Sequence, residues 1–190
     1  NMKSGTLTRD MKVKDSKGRI SAIKEERLVS MADPHQGAVR YSITPENYEG
    51  LIVIRTGLDG AVRNSGVARY SQLNNKHLKG FEFGSFAKNG IYLSCITSQS
   101  KINIAMASKL RVFDGSKEKR PASNVYIKER GAVYRYFEMN VKRNRKYVIE
   151  KTVSTYTSKD KGVRRPKSSS ISAVKKVHRY ESLLRAHEKA

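Results

Sequence analysis

The chain has no tryptophan, a single cysteine, four prolines and few acids: 17 Asp and Glu face 39 Lys and Arg in 190 residues. A lone Cys95 excludes an internal disulfide, and four scattered histidines give no ligand spacing for zinc, so neither a structural metal nor a cofactor is expected. No stretch approaches the ~20 consecutive apolar residues of a membrane span, which removes the bilayer as a partner and predicts a soluble, intracellular chain. Walker loops, dinucleotide fingerprints and paired-cysteine sites are missing as well. Asp33 and His35 flank Pro34, but no nucleophile or second carboxylate is tied to them by spacing, so a binding protein is expected and not an enzyme. The shortage of acid leaves a net charge of +22. A mixed solvated surface does not explain an excess of that size, and a polyanionic partner does.

What is present reads mostly as strands. Apolar residues make up 37% of the chain, enough for a core, and they alternate with period two between turn signals. Val39, Tyr41 and Ile43 share a face, and Leu51 to Ile54 form a short buried run. Asn89-Gly90 fits a two-residue hairpin turn that pairs Phe86 with Leu93 and Phe83 with Ile96. The segments 132–142 and 147–157 read as the longest antiparallel pair, with Val133, Phe137, Met139, Val141, Ile149 and Val153 on the core face. Helical spacing occurs in Ile20, Ile23, Arg27, Leu28 and Met31, and again in Val174, Val177, Tyr180, Leu184 and His187 behind a Ser172 cap. The domain plan is a β-rich nucleic-acid-binding domain at 1–157, a basic linker at 158–170 rich in Lys, Arg and Ser, and a helix at 171–190 packed on the domain.

The face opposite the predicted core carries Tyr134, Tyr136 and Tyr156, with Lys142, Arg143, Arg145 and Lys146 at the strand tip. Rings among cations suit single-stranded nucleic acid, because each base offers a π-face and each phosphate needs a positive charge. The same tyrosines would equally serve to pack under the C-terminal helix. Arg164, Arg165 and Lys167 in the linker add to the cationic surface. Lys79-Gly80-Phe81-Glu82-Phe83-Gly84-Ser85-Phe86 resembles the RNP1 strand of RNA-recognition motifs, which would place Lys79, Phe81 and Phe83 on a ligand. Gly57, Gly60 and Gly66 leave no room for the helix of that fold, so the likeness is local, and a core role for both rings stays open.

Taken with the strand pair and the final helix, these features resemble the Whirly single-strand-binding architecture, an α+β fold of antiparallel sheets with C-terminal helices. In overall character the chain is also similar to the chimallin C group of RNA-binding proteins at the nucleus-like shell of jumbo phages. The resemblance implies single-stranded RNA, in particular phage messenger RNA, as ligand, with single-stranded DNA second, in the cytoplasm of an infected bacterial cell. The alternative is a basic adaptor that docks an acidic assembly such as a phage shell protein, and strand edges leave self-association into a homo-oligomer open.

Overall fold

The residues described in the computed structural model are 4–64, 66, 75–119 and 123–190. They form strands β1 (Thr6–Lys14), β2 (Ile20–Val29), β3 (Gln36–Pro45), β4 (Gly50–Asp59), β5 (Leu78–Phe86), β6 (Gly90–Thr97), β7 (Asn103–Asp114), β8 (Lys117–Lys119), β9 (Ser123–Glu129), β10 (Ala132–Val141) and β11 (Tyr147–Thr157). Two helices follow, α1 (Pro166–Lys176) and α2 (Tyr180–Lys189). The large sheet runs β1-β2-β3-β11-β7-β6-β5, with β8 beside β7, and the small sheet runs β4-β10-β9. All the strand pairings are antiparallel.

Period-two alternation sets the layers. On β11, Tyr147 and Ile149 face the small sheet and join Leu110, Val112, Phe137, Met139 and Val141 in one buried cluster. The intervening residues Glu150, Thr152 and Ser154 face the other way, where α1 packs on β7 and β11 and α2 on β3 and β11. A second cluster, Leu58, Ile91, Leu93, Cys95 and Val133, extends the inter-sheet core toward β5. The architecture is therefore an antiparallel β-sandwich backed by two short helices, which corrects the expectation of an α+β, Whirly-like fold.

The predicted strand pair 132–142 with 147–157 shows why. Both segments are strands, and Val133, Phe137, Met139, Val141 and Ile149 are buried as expected. Yet β10 pairs with β4 and β9, whereas β11 lies between β3 and β7. The connection at 142–146 carries the chain from one sheet to the other instead of folding it back. Asn144 takes a positive φ of 56°, its N–H donates to Pro45 O at 2.7 Å, and the Lys142 N–H donates to the Tyr147 hydroxyl at 2.9 Å. Two strands with one apolar face each bury it equally well by facing across a sandwich, which alternation alone does not distinguish from pairing side by side.

Three other segments differ from expectation. Residues 20–29 form β2, because ladders to β1 and β3 on both sides outweigh weak helical spacing. The β5–β6 hairpin exists but is shifted by three residues, pairing Phe86 with Gly90 and Phe83 with Leu93 across the loop Ala87-Lys88-Asn89. Gly90 serves close packing: a Cβ there would lie 2.3 Å from the Phe86 ring. The C-terminal segment is two helices. α1 starts at Pro166, within the stretch 158–170 expected as linker, and Ser172 lies inside it. An extended break at Val177–Arg179 separates it from α2, letting Val174, Val177 and Tyr180 all be buried.

Candidate functional site

Tyr134 and Tyr136 lie on the outer face of the small sheet. The Arg55 guanidinium sits 3.8 Å from the centroid of the Tyr134 ring and 5.7 Å from that of Tyr136. Gly57, opposite Tyr134 in the register, makes room for the ring, since a Cβ there would meet Tyr134 Cδ1 at 2.2 Å. Leu51, Val53 and Ile127 surround this cation–π stack at 47, 60 and 38% exposure. The face thus mixes apolar and aromatic side chains with the Arg55 guanidinium over the Tyr134 ring.

The other residues singled out from the sequence are dispersed. Tyr156 belongs to the helix-side face of the large sheet, where it stacks on His35 at 3.9 Å between ring centroids. Lys142, Arg143, Arg145 and Lys146 are exposed at the inter-sheet corner. Arg143 Nε donates to Glu46 O at 2.9 Å, and Arg145 Nε pairs with Asp114 at 2.6 Å. Arg164 and Arg165 are exposed ahead of α1, while Lys167 Nζ lies 2.6 Å from Glu82, which holds the amine above its ordinary pKa. Phe81 and Phe83 pack half-buried against the inter-sheet cluster, and Lys79 lies close enough to Lys101 to depress the latter's pKa. These groups do not form one surface.

Two features went unnoticed in the sequence. At one end of the sandwich the small sheet covers β3, whose Tyr41 and Ile43 pack into the core. On β1 and β2, Leu7, Val13 and Val29 on the same face are 49, 45 and 70% exposed, as is Met31 in the following turn at 73%. A groove of about 510 Å³ runs between β4 and this region, lined by Ile23, Tyr41, Ile54 and Lys151 among others. Lys151 Nζ donates to Gly57 O at 2.7 Å, and burial lowers its pKa. The second feature is Arg135, which occupies an inward position of β10 between Val133 and Phe137 and is 6% exposed. An arginine in an otherwise apolar inward row was legible as a broken alternation.

Among the described residues, the buried carboxylates are Glu25 and Glu150. Glu25 contacts Arg27 and Arg9, and Arg27 holds its carboxyl below the ordinary value. Glu150 accepts from Arg179 at 3.2 Å and from the Tyr180 N–H at 3.2 Å. No cluster of three or more His, Cys, Asp or Glu suited to a metal occurs among the described residues, and none of their helices is long and apolar enough to cross a membrane.

The family description "Glycosyl hydrolase family 65, N-terminal domain" matches residues 1–190. A kojibiose phosphorylase of Caldanaerobacter subterraneus subsp. tengcongensis is 37% identical over 162 residues, covering 84% of this chain and 21% of that protein. An α,α-trehalose phosphorylase of Thermoanaerobacter brockii is 26% identical over 161 residues, covering 84% of this chain and 20% of its own length. A solved structure from the human microbiome assigned as a kojibiose phosphorylase superposes with a TM-score of 0.80 at 14% identity, over all of this chain and 23% of that one. The chain therefore spans about a fifth of the length of the relatives it matches.

These likenesses overturn the Whirly and chimallin C resemblance and, with it, RNA or single-stranded DNA as ligand, the phage setting and the shell-docking adaptor. The expectation of a protein unconnected with catalysis is corrected too, because the relatives are phosphorylases. The physical reason for the misreading is visible in the fold. Some of the excess cations are engaged locally by neutral groups: Lys109, Arg135, Arg143 and Lys151 donate to backbone carbonyls. Net charge counts such residues without showing that they are already occupied.

Proposed function

The chain belongs to glycosyl hydrolase family 65 as its N-terminal domain, and on that premise we propose that it is the β-sandwich part of a carbohydrate phosphorylase that cleaves a glucose disaccharide with inorganic phosphate. The observation that carries this reading is the family match over the whole chain, joined to relatives of which the chain forms only a fifth. Glycoside cleavage needs a carboxylic acid poised at the glycosidic oxygen. Here the buried carboxylates Glu25 and Glu150 are both held by arginines, so the acid comes from the part of the enzyme outside these residues.

The role of the sandwich is then to dock on that remaining polypeptide. Leu7, Val13, Val29 and Met31 at the open end, and the Tyr134–Arg55–Tyr136 face, are the surfaces it covers. Tyr134 and Tyr136 thus serve packing between domains instead of base stacking. The division into a β-rich unit at 1–157 followed by a helical C-terminal segment belongs to the same proposal, as does an intracellular location, where phosphate is supplied.

The test uses the complete protein, with kojibiose and α,α-trehalose each incubated with and without inorganic phosphate. Phosphate-dependent release of a sugar phosphate is expected from the complete protein and not from residues 1–190 alone. Hydrogen exchange compared between the two forms should show β1, β2 and β4 protected only in the complete protein. Absence of phosphate-dependent cleavage of either sugar refutes the activity, and identical exchange in the two forms refutes the docking.

A further inference from the structure

The two sheets are unequal: among the described residues, three strands face a sheet of eight. β4 is the edge of the small sheet on the side of β1 and β2, and its Ile52 and Ile54 share a cluster with Tyr41 and Ile43 of β3 and Ile149 of β11. Beyond β4 the inner face of β2 and β1 lies open, with Ile23 at the floor of the groove of about 510 Å³. Neighbouring strands lie about 4.8 Å apart and packed sheets about 10 Å apart. A strand added to β4 would therefore run over β2, at the height the groove leaves.

The side of β4 that borders this groove is a bare backbone edge. The Gly60 N–H donates to Gly131 O at 2.9 Å, so in the continuous register with β10 the even-numbered residues exchange bonds with β10 and the odd-numbered ones turn theirs away. Gly57 agrees, because its carbonyl receives Lys151 Nζ from the large sheet at 2.7 Å. Among the described residues no strand pairs with the outward N–H and C=O groups of Leu51, Val53 and Arg55. Lys151 has two further protons to give, and among the described residues no carboxylate pairs with it.

Exposed edges are ordinarily guarded by lysine, proline, an inward charge or a bulge. The edges of the large sheet are guarded in this way: β1 carries Lys12 and Lys14, and β5 carries Lys79 and an irregularity between Lys79 and Glu82. β4 has no proline and no lysine, its inward residues are Ile52, Ile54, Thr56 and Leu58, and its register with β10 is unbroken. An unguarded edge beside an apolar floor is built to be covered. A second copy of the chain does not fit, since β1 and β2 of each molecule project beneath the edge and the two pairs would occupy the same space.

We propose that a β-strand from the polypeptide outside these 190 residues pairs with the open edge of β4 and lies over β2, its apolar side chains alternating down onto Ile23, Tyr41 and Ile43 and an acceptor group meeting Lys151. This rests on the docking reading above and supplies its mode: the small sheet continues into the rest of the enzyme through backbone hydrogen bonds.

The experiment measures amide exchange, resolved to single residues, on the complete protein. Ile52 and Ile54, bonded to β10, are internal standards within the same strand. The Leu51, Val53 and Arg55 amides are expected to exchange on the order of a hundredfold or more below the free-peptide rate. Val53→Pro removes one outward N–H, which an open edge tolerates and a paired one does not; it should speed exchange at Leu51 and Arg55, whereas Val53→Ala, which keeps the N–H, should not. Should the proline variant fail to fold, a photo-reactive phenylalanine analogue in place of Ile23 is the second probe, expected to attach to a peptide from outside these 190 residues. Fast exchange at Leu51, Val53 and Arg55 while β1 and β2 are protected overturns strand pairing and leaves the docking reading standing. Fast exchange in β1, β2 and the β4 edge together sinks both. Protection that rises with protein concentration, or attachment to a second copy, overturns the proposal in favour of self-association.

Discussion

The two faces of the large sheet are held by different forces. Toward the small sheet, Ile149, Val112 and Leu110 meet Phe137, Met139 and Val141, an apolar contact that takes no account of pH or salt. Toward the helices, the apolar anchors Val174, Tyr180 and Leu183 are interleaved with ions. Arg179 grips Glu150 and lies 3.9 Å from the Phe113 ring centroid, and Arg40 pairs with both Glu26 and Glu181 while lying 4.3 Å from the Tyr180 ring. At the end of α2, His187 Nδ1 accepts the Met31 N–H at 3.0 Å, so Nε2 carries the proton donated to Ser4 O at 2.8 Å. The difference teaches that the sandwich and its helical backing are separable by conditions. Acid or salt should loosen the back while the front persists.

The largest expected effect is on the front. Phe137→Ala should lower stability by about 3–5 kcal/mol, because a ring 1% exposed leaves a cavity between two sheets that do not collapse together. Its melting curve should shift equally at low and high salt. On the back, Glu150→Ala removes the acceptor of Arg179 and of the Tyr180 N–H, with an expected cost of about 1.5–3 kcal/mol. Far-UV dichroism and exchange at α2 should report the loss before the strands do. If instead all elements open together, the faces are not separable.

The pH dependence sharpens the same comparison. Arg40, which also pairs with Glu181 of α2, holds the Glu26 carboxyl below its ordinary value of 4.5. A carboxylate whose folded pKa is depressed contributes stability that is complete above the unfolded value and lost as pH falls through the folded one. Acidification below about pH 4.5 should therefore release α2 from β2 and β3 first, seen as faster amide exchange there at constant exchange in β10. Asn89→Ala, which removes the side-chain bridge to Leu110 O, should cost about 1 kcal/mol. Smallest is Arg145→Ala: its half-exposed pair with Asp114 should change the melting midpoint by less than about 1 kcal/mol equivalent, and a larger effect would assign the corner a role beyond solvation.

Strands and core were legible in the sequence because burial imprints a period of two. Val133, Phe137, Met139, Val141 and Ile149 are inside as their spacing required. Which sheet each strand joins was not legible, since β10 and β11 carry the same pattern whether paired or facing. β2 misled because Ile20, Ile23 and Leu28 satisfy helical spacing, and only its two neighbours decide otherwise. Tyr134, Tyr136 and Tyr156 parted company for the same reason as their strands. Buried Arg135 did leave a trace, a cation in an otherwise apolar inward row.

The place of β11 in the strand order has a kinetic meaning. Strands β1, β2 and β3 form one meander and β5, β6 and β7 another, each joined by near neighbours in sequence, and among the described residues the strand that pairs with both is Tyr147–Thr157, inserted between β3 and β7. The last of these strands in chain order is thus the keystone of the sheet. Until it arrives, the inner edges of both meanders are bare templates for pairing with other chains. Loop closure over so many residues is slow. Synthesis of this domain therefore passes through a stage in which two half-sheets wait with those edges open to mispairing.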